Sequence, residues 1–349
     1  MRAPSVLFIA DGGPEIGGGH VMRALTLAEA LHGKGSACSF LVTPFAGRLL
    51  DRFADAGVGR IPAGSAEPPG FAEAAVDAAR GFDAVVFDHF RLGAREHYRI
   101  AGGRPSLALD DLADRRLGVD LVLDVGPDRT PADYAPLVEP ACRLLLGPHY
   151  ALVRPAFAAG RDGAMQRRAA EPEGKRVLVS LGLTDLGGVT GKVVNRLLPR
   201  LGEARLDVVL GPNAASLAEM QRLAGRDPRV ELHVETEAMA SLCALADLAV
   251  GAGGSSTWER CAMGLPAITV LLADNQEPGA KALAAAGASE VVDARTDDFE
   301  AALDRAFTGL MRSSERRGRM GRAAAGLCDG QGAERAAEAF LDLVSRGRP

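Results

Sequence analysis

Short apolar runs that alternate with helical segments, twice over, constrain this chain more than any other feature. The first set of runs covers residues 6–10, 39–42, 84–88, 106–110, 121–124 and 143–146. Runs this short and this apolar suit strands buried on both faces. Parallel neighbours need a crossover between them, and the intervening segments 21–32, 47–56 and 71–79 have helical spacing. In the first of these Val21, Leu25, Ala28 and Leu31 share one face, and the pattern stops at Gly33. The second set has runs at 176–181, 206–210, 230–234, 248–250, 267–272 and 289–292, with helical segments at 189–201, 215–224 and 239–246. Such alternation predicts α/β domains built on doubly wound parallel sheets. Between the sets, residues 158–175 are polar and charged and include Glu171-Pro172-Glu173-Gly174, the pattern of a linker. The predicted organisation is therefore a first domain over 1–157, a linker over 158–175 and a second domain over 176–330. An amphipathic helix within 331–349 closes the chain, placed to pack back on the first domain. Two Rossmann-like domains facing one another are expected to leave a cleft at the carboxyl ends of both sheets.

Composition excludes several functions. The net charge is −5, which leaves no basic footprint for nucleic acid. No apolar run reaches the ~20 residues that span a bilayer, and the opening residues do not read as a signal peptide. The five cysteines are scattered and contain no C-x-x-C pair, so neither a disulfide framework nor a zinc site is expected, and a cytoplasmic location fits.

Two glycine-rich turns carry the chemistry. Leu248 to Arg260 reads as a buried strand, a turn of Gly251, Gly253, Gly254, Ser255, Ser256 and Thr257, and a helix start. Backbone N–H groups and hydroxyls in that order can hold a phosphate or diphosphate. Glu259, in the first turn of the helix, is placed to reach sugar hydroxyls. The plain alternative is a strand-to-helix turn with a Ser/Thr cap. Asn275 and Gln276 follow the next strand with amide groups, and a simple turn would also use them. A further glycine turn starts at Gly182. Trp258 reads as packing.

In the first half Gly17-Gly18-Gly19-His20 opens a helix after the first strand. A dinucleotide reading fails, because the G-x-G-x-x-G spacing counted from Gly17 meets Met22 and the next strand ends in Thr43 without a ribose-binding acid. Glycines here let a ligand approach the backbone, and His20 suits a general base. Histidine is a weak helix cap, which disfavours the structural alternative. Asp88 ends a buried strand, where it could orient His20 or a water, or cap the next turn. Asp110-Asp111 is a pair of acids with no third ligand at a reliable spacing, so no metal is expected.

Taken together these segments resemble one family. The matching stretches are Ile16-Gly17-Gly18-Gly19-His20-Val21-Met22-Arg23, Asp88-His89, Asp110 to Asp114, Leu146 to Phe157, Ala246 through Pro266, and Ala273-Asp274-Asn275-Gln276, in consistent order over nearly the whole chain. The chain resembles the UDP-sugar hydrolases of pseudaminic acid biosynthesis, the PseG family. That family is related to the lipid-linked peptidoglycan N-acetylglucosaminyltransferase and shares its GT-B fold. The resemblance implies hydrolysis of UDP-2,4-diacetamido-2,4,6-trideoxy-β-L-altropyranose to UDP and free sugar, without metal or other cofactor. It implies that His20 activates the water, with Gly17, Gly19, Asp88, Asn275 and Gln276 on the sugar side. Gly182, Met239, Gly254, Ser255, Ser256, Thr257 and Glu259 would hold UDP. Glu259 would bind ribose, the loop around Met239 would read uracil, and Asn275 would face the sugar or the α-phosphate. The pattern departs from the family in three places: Phe8-Ile9-Ala10-Asp11 lacks its arginine, Phe90 replaces its tyrosine, and Leu183 replaces a glycine. A glycosyltransferase using a UDP-N-acetylhexosamine-type donor is the alternative, and a non-catalytic nucleotide-sugar-binding protein is a second one.

Overall fold

The computed structural model describes residues 3–13, 17–54, 57–64 and 70–346. The chain forms two compact units: Met1–Leu152 with Gln331–Pro349, and Val153–Gly330.

The first unit is built on seven strands, β1 (Ser5–Ala10), β2 (Ala37–Val42), β3 (Gly59–Pro62), β4 (Ala84–Asp88), β5 (Ser106–Leu109), β6 (Leu121–Asp124) and β7 (Arg143–Leu146). Their order is β3-β2-β1-β4-β5-β6-β7, and every pairing is parallel. The pleat explains the unbroken apolar runs. Along β1, Val6, Phe8 and Ala10 enter one core with Phe40, Leu27 and Phe340, while Leu7 and Ile9 enter another with Phe87, Phe71 and Tyr134. Strand order reverses between β1 and β4, so their carboxyl ends form the switch point of the sheet.

The closing helix Gly332–Arg346 belongs to this unit and packs on the helix Gly19–Gly33. It buries Ala333, Ala336, Ala337 and Phe340, and Lys34 pairs with Glu334 at 2.9 Å and Glu338 at 3.0 Å. A Cβ at Gly332 would lie 2.3 Å from the Ala151 carbonyl oxygen, so only glycine allows this approach.

The second unit has six strands, β8 (Arg176–Ser180), β9 (Arg205–Leu210), β10 (Val230–Val234), β11 (Leu248–Ala252), β12 (Ala267–Leu271) and β13 (Glu290–Asp293). They pair in parallel in the order β10-β9-β8-β11-β12-β13, with the switch point between β8 and β11. Both units are thus the doubly wound sheets that the alternation predicts.

The structure differs at 158–175 and at the first domain boundary. Pro155–Ala170 is a helix of the second unit, and that unit starts at Val153, not after 157. The segment reads as a linker because arginines occupy positions where a core helix would carry apolar residues. Those arginines fasten the helix instead. Arg161 donates to the carbonyls of Ala262, Ala325 and Cys328, and Arg167 and Arg168 donate to those of Ala244 and Ala246. Carbonyls left free near helix ends need such donors. Among the described residues, no helix is long and apolar enough to cross a membrane.

Candidate functional site

In the first unit the predicted residues meet at the β1/β4 switch point. Gly17 sits at φ +80°, a conformation that glycine tolerates. Its N–H donates to the Gly13 carbonyl at 2.7 Å. Gly19 is exposed and starts the helix, so His20 is held in its first turn, 8% exposed. The His20 Nδ1 lies 2.6 Å from Asp88 Oδ1, and the Asp88 side chain is fully buried at the end of β4. Phe90 places its ring at right angles to the imidazole, with centroids 4.4 Å apart.

Arg23, one turn after His20, completes this arrangement. Its Nε and Nη2 grip the two oxygens of Asp88 at 2.6 and 2.7 Å, and Nη1 reaches both oxygens of Asp111 at 2.8 and 2.7 Å. Burial alone would raise the Asp88 pKa, but the charge of Arg23 and then of His20 outweighs it and holds the group at about 2. Asp88 is therefore a carboxylate at neutral pH. A nitrogen and a carboxylate oxygen 2.6 Å apart need a proton between them. That proton is on His20 Nδ1, and in the neutral ring the lone pair is left on Nε2.

Two more groups lie beside this pair. Asp11, just after β1, accepts the Gly12 N–H on Oδ1, while its buried Oδ2 has no hydrogen-bond partner among the described residues and lies 3.6 Å from His89 Nδ1. His89 Nδ1 accepts from the Arg91 N–H at 3.2 Å, and burial pushes the His89 pKa down to about 4, so this ring is neutral. Further along the sheet edge the Tyr134 hydroxyl lies 2.8 Å from Asp110 and 2.7 Å from Asp124. Arg115 pairs with Asp110 at 2.8 Å, and Arg129 pairs with Asp124 at 2.7 Å. Asp110 and Asp111 thus face different partners and do not converge as a pair. Among the described residues one group of acids and histidine, Asp207, Glu231 and His233, has the spacing of metal ligands, but Arg176 already grips Asp207 on both oxygens.

In the second unit the predicted residues lie in loops at the carboxyl edge of one sheet. Gly182 follows β8 at φ +108°, and Asp185 braces this turn by accepting the N–H groups of Thr190 and Ser216, both at 2.8 Å. Met239 opens the helix Met239–Leu245 after β10. Gly254, Ser255 and Ser256 follow β11 at the start of the helix Ser256–Ala262; their own N–H groups make no backbone hydrogen bond among the described residues, while those of Thr257 and Trp258 donate to the Gly254 and Ser255 carbonyls at 3.0 and 3.1 Å. Glu259 accepts from Arg154 at 2.8 Å on Oε1.

Two of the expected ligand residues also brace the turn. Thr257 is buried; its hydroxyl donates to the Ala252 carbonyl at 3.2 Å and accepts from Arg260 at 3.0 Å. Gln276 turns its Oε1 onto the Leu272 N–H at 3.0 Å, which closes the turn. Residue type told which groups could donate, but not which way each one faces. Asn275, by contrast, is exposed. Trp258 packs in the interior, as expected.

Arg260 was not among the predicted residues. It lies buried beneath the turn, where it donates to the Ala252 carbonyl at 2.8 Å and to the Ser256 hydroxyl at 3.1 Å. It has no carboxylate partner among the described residues, its Nε is unpaired, and burial lowers its pKa. Because Ser256 Oγ accepts from Arg260, its own hydroxyl proton is free to donate elsewhere. A Cβ at Gly251 would lie 2.5 Å from Arg260 Nη1, so the glycine makes room for the guanidinium.

Two Rossmann-like α/β units in series, each with its site at the carboxyl edge of a parallel sheet, define the GT-B fold. Comparison with known proteins agrees. Residues 192–339 match the family described as the glycosyltransferase family 28 C-terminal domain. The chain is 28% identical over 149 residues to the spore coat polysaccharide biosynthesis protein SpsG of Bacillus subtilis (strain 168), a match covering 42% of this chain and 43% of that protein. The chain therefore spans less than half the length of this curated relative. The crystal structure of Acinetobacter baumannii MurG superposes with a TM-score of 0.68 at 19% identity, over 97% of this chain and 100% of that one. Anabaena Alr3699/HepE, solved in complex with UDP and glucose, superposes with a TM-score of 0.60 at 12% identity, over 97% and 99% of the two chains. At these identities the superpositions establish the fold.

Proposed function

We propose that this chain hydrolyses a UDP-sugar to UDP and free sugar. The observation that carries the reading is the 2.6 Å contact of His20 Nδ1 with the buried Asp88 carboxylate; with the proton on Nδ1, the Nε2 lone pair is left for a water. Water oxygen attacks the anomeric carbon as Nε2 takes its proton. The bond from that carbon to the diphosphate oxygen breaks, and UDP leaves with the bonding electrons. UDP is a good leaving group, so the main requirement is placed donors around the diphosphate. Gly254, Ser255 and Ser256 supply N–H and hydroxyl donors, and buried Arg260 supplies positive charge behind them. The second oxygen of Glu259 is left for ribose, the loop at Met239 for uracil, and Asn275 for the sugar or α-phosphate. Gly17 and Gly19 keep the backbone open on the sugar side.

The match to a glycosyltransferase domain and the complex of HepE with UDP support the nucleotide half of this reading. The sugar, UDP-2,4-diacetamido-2,4,6-trideoxy-β-L-altropyranose, rests on the sequence resemblance, as does a place in pseudaminic acid biosynthesis in the cytoplasm. The match to family 28 also favours a second reading, transfer from a UDP-N-acetylhexosamine-type donor to an acceptor hydroxyl. The buried His20–Asp88 pair argues against simple binding without catalysis. Incubation of the protein with the UDP-sugar, with and without an acceptor, separates these readings. Release of UDP without acceptor, lost in His20→Asn, is expected. Release only with an acceptor would make the chain a transferase, and unchanged release in the variant would remove His20 from its role.

A further inference from the structure

The structure assigns Arg23 as the positioning residue of the first-unit site: by bridging Asp88 and Asp111 it fixes which nitrogen of His20 carries the proton. The inference rests on His20 as the base, but its readout is the imidazole itself.

Asp88 alone could not do this. A fully buried carboxylate with one imidazole neighbour has two ways to relieve its charge. It can take a proton, or it can draw one onto the ring and make an imidazolium. The first lets the acid donate to Nδ1 and moves the ring proton to Nε2, the second makes the ring an imidazolium, and either removes the lone pair from Nε2. Arg23 closes both routes. Its fork grips both oxygens of Asp88, so the carboxylate stays charged and cannot rotate. Its positive charge, 3.2 Å from His20 Nδ1, opposes a second proton on the ring. The guanidinium is planar, and Nη1 is held at its far end by both oxygens of Asp111, so the whole fork is fixed. Burial works against the charge on Arg23, but Asp111 and Asp88 more than offset it, and the group stays protonated well above its ordinary range.

The charges around His20 come from several elements. Asp88 ends β4, Arg23 shares the helix of His20, and Asp111 follows β5. Neutral His89 follows Asp88, with Asp11 3.6 Å and Arg91 two residues beyond it; Arg91 lies 3.7 Å from Asp11. Phe90 adds no charge. Arg23 is thus the one cation in direct contact with the His20–Asp88 pair among the described residues.

Two variants of the full-length protein move the His20 titration in opposite directions. Arg23→Met removes the positive charge, and the midpoint of His20 should rise by about one pH unit or more. Asp111→Asn removes a negative charge and leaves Arg23 on Asp88, so the midpoint should fall, by less. Arg23→Lys keeps the charge without the fork. Its midpoint should stay near wild type while the ring samples both tautomers. Nitrogen-15 NMR of the histidine rings reads midpoint and tautomer directly, and the acidic limb of kcat/KM against pH should follow the same order. A purely structural arginine would leave the tautomer unchanged in Arg23→Lys, which keeps the charge. If Arg23→Met fails to fold, Asp111→Asn and Arg23→Lys carry the test. An unchanged His20 midpoint in Asp111→Asn, or an unchanged tautomer in Arg23→Lys, would overturn the assignment. If the NMR shifts appear but no variant affects hydrolysis, the positioning stands and the role of His20 as the base falls.

Discussion

Acid should destabilise the first unit well before its carboxylates titrate, because two buried histidines must gain protons as they unfold. His97 packs against Phe87 with ring centroids 4.5 Å apart and planes tilted by 40°, and its Nδ1 accepts the Gly118 N–H at 3.3 Å. Burial pushes its pKa down to about 3, and that of His89 down to about 4. In the unfolded chain both return to about 6.5. Between these values the unfolded state binds more protons than the folded one, so stability rises with pH across the window and is lost as pH falls from about 6.5. At pH 5 each histidine costs about 2 kcal/mol relative to pH 8, or about 4 kcal/mol together. Asp88, held at about 2, contributes fully throughout this range and loses its contribution only as pH falls from about 4 toward 2. Asp124, raised by burial, acts in the opposite sense and softens the slope at its acidic end. Urea denaturation at pH 8, 6.5 and 5 measures the effect. His97→Asn, which keeps an acceptor for Gly118 and cannot titrate, should remove about half of it. Equal stability at pH 8 and pH 5, or an unchanged slope in His97→Asn, would show that the buried histidines do not set the acid sensitivity.

Arg260→Gln keeps donors for the Ala252 carbonyl but removes the charge beneath the turn. Calorimetry should show UDP binding weakened on the order of tenfold with uridine binding unchanged; equal UDP affinity would remove Arg260 from the diphosphate seat. Gly251→Ala drives a Cβ against a guanidinium that cannot swing aside, and also 3.2 Å from the Ser180 carbonyl oxygen. The expected loss is about 1–3 kcal/mol in thermal or urea unfolding, and wild-type stability would contradict the packing described here.

The sheets were legible because burial on both faces leaves an apolar run that needs no partner to be recognised. β3 was not, because Gly59–Pro62 is an edge strand that alternates between half-buried and exposed residues. The helix Pro155–Ala170 was hidden by its arginines, whose carbonyl partners lie about 75 to 167 residues away. His20 and Asp88 could be nominated from their positions beside strand ends. Arg23 carried one signal, its place three residues after His20 on the same helical face, but its two carboxylates are 65 and 88 residues distant. Arg260 gave none, since an arginine in a helix after a turn normally faces water. The internal bonds of Thr257 and Gln276 were not legible either, because residue type shows what a group can donate or accept and not which way it faces.

The fate of the water oxygen decides whether water attacks the anomeric carbon of a UDP-sugar in this protein. Turnover in oxygen-18 water without an acceptor, followed by the mass of the UDP released, tests it most directly. Unlabelled UDP is expected, because the bond between the sugar carbon and the diphosphate oxygen breaks and the water oxygen stays with the sugar. UDP carrying the label, or no UDP at all without an acceptor, would contradict it.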